Sequence, residues 1–350
     1  MARFDFCILG CGKQGRVIGN RLIDEGYKVC CIDISPDNLN LFRGTGYKIG
    51  IEDEKIISIL EKSEIAINAL PAKIGVKGLL RIKEAGRNAV DITFVEEDLG
   101  FYDPEVREKN ISIVVDAGVA PGLSNICVGH AKSKLGFLKD VKIYVGGVPE
   151  KPIPPYNLVV HFNPEDLLSE YERPVRIVRN WQVEFVPPLY GLEEVEFMGK
   201  TYEAFYTDGL RTLTKKRWAK NMFEKTIRYK GHAEWIKSTD KNTLLSILKE
   251  YAEKDIEDAL LFRVIAEGTA GKISYELVDF YDRERKETAM SRTTGYTALS
   301  IAELMLSGKI TQKGIVTPED VGKDKEIFNL IRERLRGFKI NLKLISEKIS

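Results

Sequence analysis

Six residues near the N-terminus, Gly10-Cys11-Gly12-Lys13-Gln14-Gly15, have the spacing G-x-G-x-x-G. They stand where an apolar run, residues 4–10, gives way to a helical pattern, the context in which this spacing carries chemistry. There Gly10 makes the tight turn, and Gly12 admits backbone N–H groups to a diphosphate. Gly15 packs the helix against the strand, and the helix N-terminus faces the anion. Lys13 and Gln14 complete the turn. Asp33 closes the next β-rich run, 28–34, where a carboxylate accepts hydrogen bonds from an adenosine ribose and repels a 2′-phosphate. The residues after it, Ile34, Ser35, Pro36 and Asp37, offer no Arg or Lys to such a phosphate. NAD is therefore expected over NADP, although Asp33 could instead cap the following turn.

Redox chemistry on a nicotinamide also needs a group to take a proton and an anchor for the substrate. Histidine occurs only as His130, His161 and His232. His130 falls within a helical stretch and reads as structural. His161 precedes Asn163-Pro164, an N-cap with Pro at the first helical position. His232 follows Gly231 at a helix start, where the dipole favours neutral imidazole. Either could equally pack or cap. Arg211, in Thr207-Asp208-Gly209-Leu210-Arg211, could hold a carboxylate bidentately. Asp116 could meet an amine or the nicotinamide ribose, while Glu203, Tyr206 and Asp208 could recognise a cationic amine.

The elements that must position these residues follow from hydrophobic patterning. Up to residue 118, six short apolar runs alternate with single helical stretches, which demands a parallel sheet covered on both faces. The expected fold is α/β: a doubly wound Rossmann domain, followed by an α+β domain on a mixed or antiparallel sheet. In such a sheet the ligand lies beyond the carboxyl ends of the strands. This puts Leu70, Pro71, Asp91, Thr93 and Asp116 on the cofactor's path. After Pro121 come a helix, a strand at 141–147, the breaker run 148–156 and then β-branched runs including 157–162. Helical spacing returns at 294–306. The expected domains are 1–120 and 121–290, followed by a C-terminal segment 311–350.

Composition narrows the function class. The 350 residues hold 53 Lys and Arg against 52 Asp and Glu, a net charge of +1, without the dominant basic face that nucleic acid or an anionic membrane requires. No apolar run is long enough to span a bilayer, and the N-terminus lacks the pattern of a signal peptide. The five cysteines form no C-x-x-C pair, so neither a metal nor a disulfide is expected, and the expected compartment is the cytoplasm.

Several segments carry a wider likeness: 8–15 (ILGCGKQG), 116–129 (DAGVAPGLSNICVG), 145–152, 170–178 (EYERPVRIV), 203–213 (EAFYTDGLRTL), 224–232 (EKTIRYKGH) and 289–310. With them the chain resembles the saccharopine dehydrogenase-like family, and within it the lysine 6-dehydrogenase branch. The resemblance implies that helix 294–310 packs back on the first domain, that domain 121–290 binds substrate and forms a homodimer, and that the reaction is NAD-dependent oxidative deamination of the ε-amine of L-lysine. The aldehyde product cyclises to piperideine-6-carboxylate, and ammonia is released. It also implies a substrate-site role for Asp116 and Arg211, and less directly for His161 and His232. The chain departs from the saccharopine reductases proper at Phe162-Asn163-Pro164 and Glu170–Pro174. A saccharopine or carboxynorspermidine-type reductase is the alternative, and a non-catalytic NAD-binding protein the lesser one.

Overall fold

The computed structural model describes residues 3–347. Strands β1 (Phe4–Leu9), β2 (Val29–Asp33), β3 (Thr45–Lys48), β4 (Ser63–Asn68), β5 (Asn88–Asp91) and β6 (Ser112–Val114) open the chain. Helices α1 (Lys13–Asp24), α2 (Pro36–Asn40), α3 (Lys55–Leu60), α4 (Ala72–Glu84) and α5 (Asp103–Glu108) connect them. Next come α6 (Leu123–Leu135), β7 (Leu138–Pro149), α7 (Pro164–Glu172), β8 (Val175–Arg179), β9 (Gln182–Val186), β10 (Glu193–Phe197) and β11 (Lys200–Tyr206). They lead to α8 (Leu213–Lys216), β12 (Ala219–Arg228), α9 (His232–Ser238), α10 (Lys241–Ala252), β13 (Asp258–Gly268) and β14 (Gly271–Phe280). The chain closes with α11 (Ala289–Leu306), β15 (Gly314–Val316), α12 (Pro318–Lys323), α13 (Lys325–Gly337) and β16 (Lys343–Glu347).

Two compact units result. The first takes the chain up to Leu123 with Thr294–Val321 and Glu326–Arg334; the second takes Ser124–Thr293, Gly322–Lys325 and the chain from Leu335. Residues 1, 2 and 348–350, which the sequence expectation assigns to the first domain and the C-terminal segment, lie outside the described residues.

The first unit is built on a wholly parallel sheet in the order β15-β6-β5-β4-β1-β2-β3. Without β15 this is the 3-2-1-4-5-6 order of dinucleotide-binding sheets, reversing between β1 and β4. Phe6, Cys7 and Ile8 of β1 are fully buried, as a central strand covered on both faces must be. The seventh strand is only three residues long, too short to leave a periodic signal in the sequence.

The second unit carries a mixed sheet, β10-β11-β12-β7-β13-β14-β16, with β8 pairing β12 and β9 at one side. The β12–β7 pair is parallel and the remaining pairs are antiparallel. A core of Leu167, Leu168 and Tyr171 of α7, Ala233 and Ile236 of α9, and Leu244, Leu248 and Tyr251 of α10 lies in this unit.

Two differences from the sequence reading have clear causes. Residues 157–162 form no strand: Leu158, Val159 and Val160 are buried in the helical core just described, where no neighbouring strand offers them a ladder. Helix α11 starts at Ala289, five residues before the periodic stretch, because its first N–H groups are satisfied from far away. Asp258 accepts hydrogen bonds from the amides of Ala289 (2.7 Å) and Met290 (3.1 Å). A cap supplied by a residue 31 positions distant cannot be read locally.

Candidate active site

The glycine turn in the first unit has the form the motif requires. Gly10 has φ +92°, and a Cβ there would stand 2.7 Å from the Ala69 carbonyl oxygen, so only glycine serves. A Cβ on Gly15 would lie 1.9 Å from the Gly10 oxygen, the close helix–strand approach that the third glycine permits. Gly12, the N-cap of α1, is different: a Cβ on it would meet nothing within 4 Å. Its open side and the start of a 12-residue helix fit an anion approaching the backbone. Lys13 and Gln14 are the first two residues of that helix.

Asp33 ends β2 beside this turn. Its Oδ2 accepts the backbone N–H of Cys11 at 2.6 Å and the Asn38 amide at 3.4 Å, and its Oδ1 accepts the N–H of Ser35 at 2.7 Å. The carboxylate both tethers the glycine turn and supports the turn into α2, where Ser35 is the N-cap and Ile34 is exposed. Three contacts leave one of its roughly four lone-pair directions for an added hydroxyl donor.

Leu70 and Pro71 follow β4 at the point where strand order reverses, and Pro71 is the N-cap of α4. Asp91 and Thr93 lie deeper. Asp91 accepts the Thr93 N–H (2.7 Å) and hydroxyl (2.5 Å) on Oδ1 and the Asn68 amide (2.7 Å) on Oδ2. Burial pushes its carboxyl up to about 7, these hydrogen bonds opposing and Asp116 adding to the push. Gly75 and Gly78 of α4 make room for this cluster, for a Cβ on them would come within 2.8 Å of Thr93 and 2.6 Å of Asn68. Asp116 follows β6 in a left-handed conformation (φ 50°), is buried, and its neighbour Ala117 donates to the Asp91 carbonyl.

In the second unit the candidate residues fall into two groups. His161 sits on Gly147, whose absent side chain it replaces, with Nδ1 3.5 Å from Asp258 Oδ2. Asp258 is the carboxylate that caps α11, and burial pushes it up to about 6 against the hydrogen bonds from Ala289 and Met290. His232 belongs elsewhere. It is the first residue of α9, behind Gly231 in a left-handed conformation (φ 89°), and Glu203 fixes that start by accepting the N–H groups of Gly231 (2.8 Å) and Ala233 (2.6 Å). Its ring lies parallel to Phe205 and edge-on to Trp235, with Nε2 3.0 Å from the Tyr171 hydroxyl. Burial, then the Arg228 charge, hold it well below the usual histidine range, so it is neutral.

Around His232 the fold gathers charged groups, of which the sequence reading names Asp208 and Arg211 as candidate site residues but not Glu170, Glu224 or Arg228. From Glu224 on, every second residue of β12, namely Glu224, Thr226 and Arg228, is polar, shares one face of the strand and is buried. Thr226 donates to Glu170 Oε1 (2.8 Å) and its hydroxyl lies 2.9 Å from that of Thr207. Asp208 is held bidentately by Arg176, at 2.8 and 2.6 Å. Arg211, in the same turn, is buried with φ 50°, and its carbonyl accepts the Thr214 N–H and hydroxyl. Glu224 is buried against Gly209: a Cβ there would stand 1.6 Å from Glu224 Oε1. Burial, then the neighbouring carboxylates Glu170 and Asp208, push Glu224 up to about 8, with Arg173 opposing. The polar alternation 224-226-228 and the glycine at 209 were the available signals.

Among the described residues no group of His, Cys, Asp or Glu has metal-site geometry, and no helix is long and apolar enough to cross a membrane. All five cysteines are buried thiols.

Residues 118–340 match the family described as the saccharopine dehydrogenase C-terminal domain. The chain is 24% identical over 164 residues to a UDP-N-acetyl-D-mannosamine dehydrogenase of Methanococcus vannielii, a stretch covering 42% of this chain and only 34% of that protein. Its fold is similar to that of the saccharopine dehydrogenase (L-Glu forming) of Saccharomyces cerevisiae, with TM-score 0.78 and 15% identity over 98% of this chain and 100% of that one. A meso-dapdh variant of Clostridium tetani, solved with DAP, is more distant, with TM-score 0.51 and 13% identity over 95% and 98% of the two chains.

Proposed function

The chain belongs to the saccharopine dehydrogenase C-terminal domain family, and from that premise we propose that it is an NAD-dependent dehydrogenase acting on the ε-amine of L-lysine. The observation that carries this reading is the Gly10–Gly15 turn tethered to Asp33 through the Cys11 N–H at 2.6 Å. Gly12 supplies the open backbone for the diphosphate, and Asp33 the carboxylate that favours a ribose hydroxyl over a phosphate. Leu70, Pro71, Asp91, Thr93 and Asp116 stand at the carboxyl ends of the strands, where the rest of the dinucleotide would run.

When bound, NAD supplies a hydride acceptor. The chain's own residues have the remaining tasks. Arg211 holds the substrate α-carboxylate, and the buried polar groups around Thr226 and His232 orient the aliphatic amine. Loss of hydride from C6 of the neutral amine leaves an iminium, water adds to it to give a carbinolamine, and departure of ammonia from the carbinolamine leaves the aldehyde. The protein works in the cytoplasm, as a homodimer.

A panel of L-lysine, L-ornithine, diamines and 2-oxoglutarate plus lysine, each with NAD(H) and NADP(H) and followed by absorbance of the reduced cofactor, tests the reading. NADH and ammonia formed from lysine support it; no turnover with any basic amino acid overturns it. The likeness to the yeast saccharopine dehydrogenase favours a second reading, a reductase joining an amine to an oxo acid. Consumption of reduced cofactor that requires both lysine and 2-oxoglutarate would select that one.

A further inference from the structure

Hydride cannot leave the carbon of a protonated amine, so the proposed reaction needs a group that takes a proton from the substrate ammonium. His232 is poorly suited. Its Nε2 is engaged with the Tyr171 hydroxyl, three aromatic rings enclose it, and a base held far below the histidine range has little driving force against an aliphatic amine. His161 is taken up with Asp258 and Gly147.

Glu224 is the contrasting case. Its side chain is 4% exposed, and Oε2 has no hydrogen-bond partner among the described residues. The groups around it are already engaged: Glu170 accepts from Thr226, Asp208 is gripped by Arg176, and Thr207 completes the hydroxyl chain. A buried carboxyl oxygen left without a donor is costly unless something else donates to it. The other oxygen, Oε1, occupies the place that a side chain on Gly209 would take.

We propose that Glu224 is the proton acceptor for the substrate amine, its carboxylate taking one proton from the ammonium beside Gly209. The inference rests on the amine dehydrogenase reading. The N–H bond of the ammonium breaks, its electron pair stays on nitrogen, and an O–H bond forms on Glu224. The neutral amine then loses hydride from carbon to the nicotinamide, which is reduced as the carbon–nitrogen bond is oxidised to the iminium. Glu224 lies near Arg173, which opposes the carboxylates of Glu170 and Asp208, and the net balance leaves it titrating at about 8. A carboxyl in that range is better matched to an amine than an ordinary one, because proton transfer is nearer to thermoneutral.

The test has two arms, one of which needs no turnover. In the first, kcat/KM for L-lysine is followed against pH. Wild type should rise along a limb near pH 8, and Glu224→Gln should lose about 100-fold or more and that limb with it. Gly209→Ala, which pushes a methyl group into the carboxyl, should behave similarly, while Glu224→Asp restores part of the rate. An E224Q enzyme within a few-fold of wild type and with the same pH limb overturns the proposal and spares the dehydrogenase reading. In the second arm, calorimetry of L-lysine binding in the presence of NADH is run at pH 7 in two buffers of different ionisation enthalpy. Wild type should release about one proton per lysine as Glu224 ionises against the ammonium, and E224Q none. Proton release by wild type without NADH formation from any amine would support Glu224 as the amine's partner and remove the dehydrogenase reading. Equal release by the two proteins, or no binding at all, overturns the proposal.

Discussion

The half-buried glycine turn and the buried charged cluster around Glu224 are both polar devices, yet they are written into the chain in opposite ways. The turn is contiguous: six residues and one carboxylate at the end of the next strand suffice, and it works through side chains that are missing. Gly10 and Gly15 are fixed by backbone oxygens 2.7 and 1.9 Å from where a Cβ would be, so the spacing alone implies the geometry. The cluster is assembled from four separate stretches, namely Glu170–Arg173, Thr207–Arg211, Glu224–Arg228 and His232. Its properties come from burial and mutual charge, which no single stretch contains.

The sharpest way to break this comparison is within the turn itself. Gly15→Val should destabilise the protein by about 3 kcal/mol or more, since the side chain must displace backbone. A Cβ on Gly12 meets nothing within 4 Å, so the Tm of Gly12→Val should stay close to wild type while NADH affinity falls about 10-fold or more, roughly 1.4 kcal/mol. Thermal melts and NADH fluorescence titration of the two variants separate a packing glycine from a binding one. If Gly12→Val binds NADH normally, the open side of Gly12 is not where the diphosphate lies.

For the cluster, stability against pH is the discriminating measurement. The folded protein holds the Glu224 proton up to about 8, against the usual 4.5. The unfolded chain therefore ionises first, and wild type loses stability as pH rises through that window. Glu224→Gln cannot ionise and avoids the loss. Urea unfolding should show the variant on the order of 5 kcal/mol more stable than wild type above pH 8, with the gap closing toward pH 4.5. A gap independent of pH would mean that Glu224 is ionised in the folded protein.

Cofactor choice is a smaller effect. Asp33→Ala should narrow the preference for NADH over NADPH by about 10-fold, roughly 1.4 kcal/mol, measured by competitive titration. Because the variant also loses the Cys11 tether, both affinities should fall, NADH the more. Smallest is Asp240→Ala, which removes the N-cap of α10, where Asp240 accepts the Asn242 and Thr243 amides at 3.1 Å. It should cost about 1 kcal/mol of stability and leave NADH binding unchanged.

The parallel sheet was legible because β1, β4 and β5 are apolar runs, each followed by a helical stretch. The mixed sheet of the second unit was legible in kind but not in detail. The run at 157–162 has strand composition yet packs under helices, since composition specifies burial and not the partner. Helix α10 could have been read from Asp240 and the spacing of Leu244, Leu248 and Tyr251. The start of α11 could not, because its cap, Asp258, lies on another element. Among the candidate site residues, Asp33 holds the N–H groups of Cys11 and Ser35, the second being the turn that the sequence allowed as its alternative role. His161 and His232 proved to have unrelated surroundings, and Glu224 carried no local mark except the alternation of polar residues along β12.

The central claim is direct loss of hydride from the ε-carbon of lysine to a nicotinamide. L-lysine carrying two deuterons on C6, incubated with NAD and the full chain, should yield reduced cofactor heavier by one deuteron, with an aldehyde product that keeps the other. Reduced cofactor without the label, or none formed at all, would contradict the account.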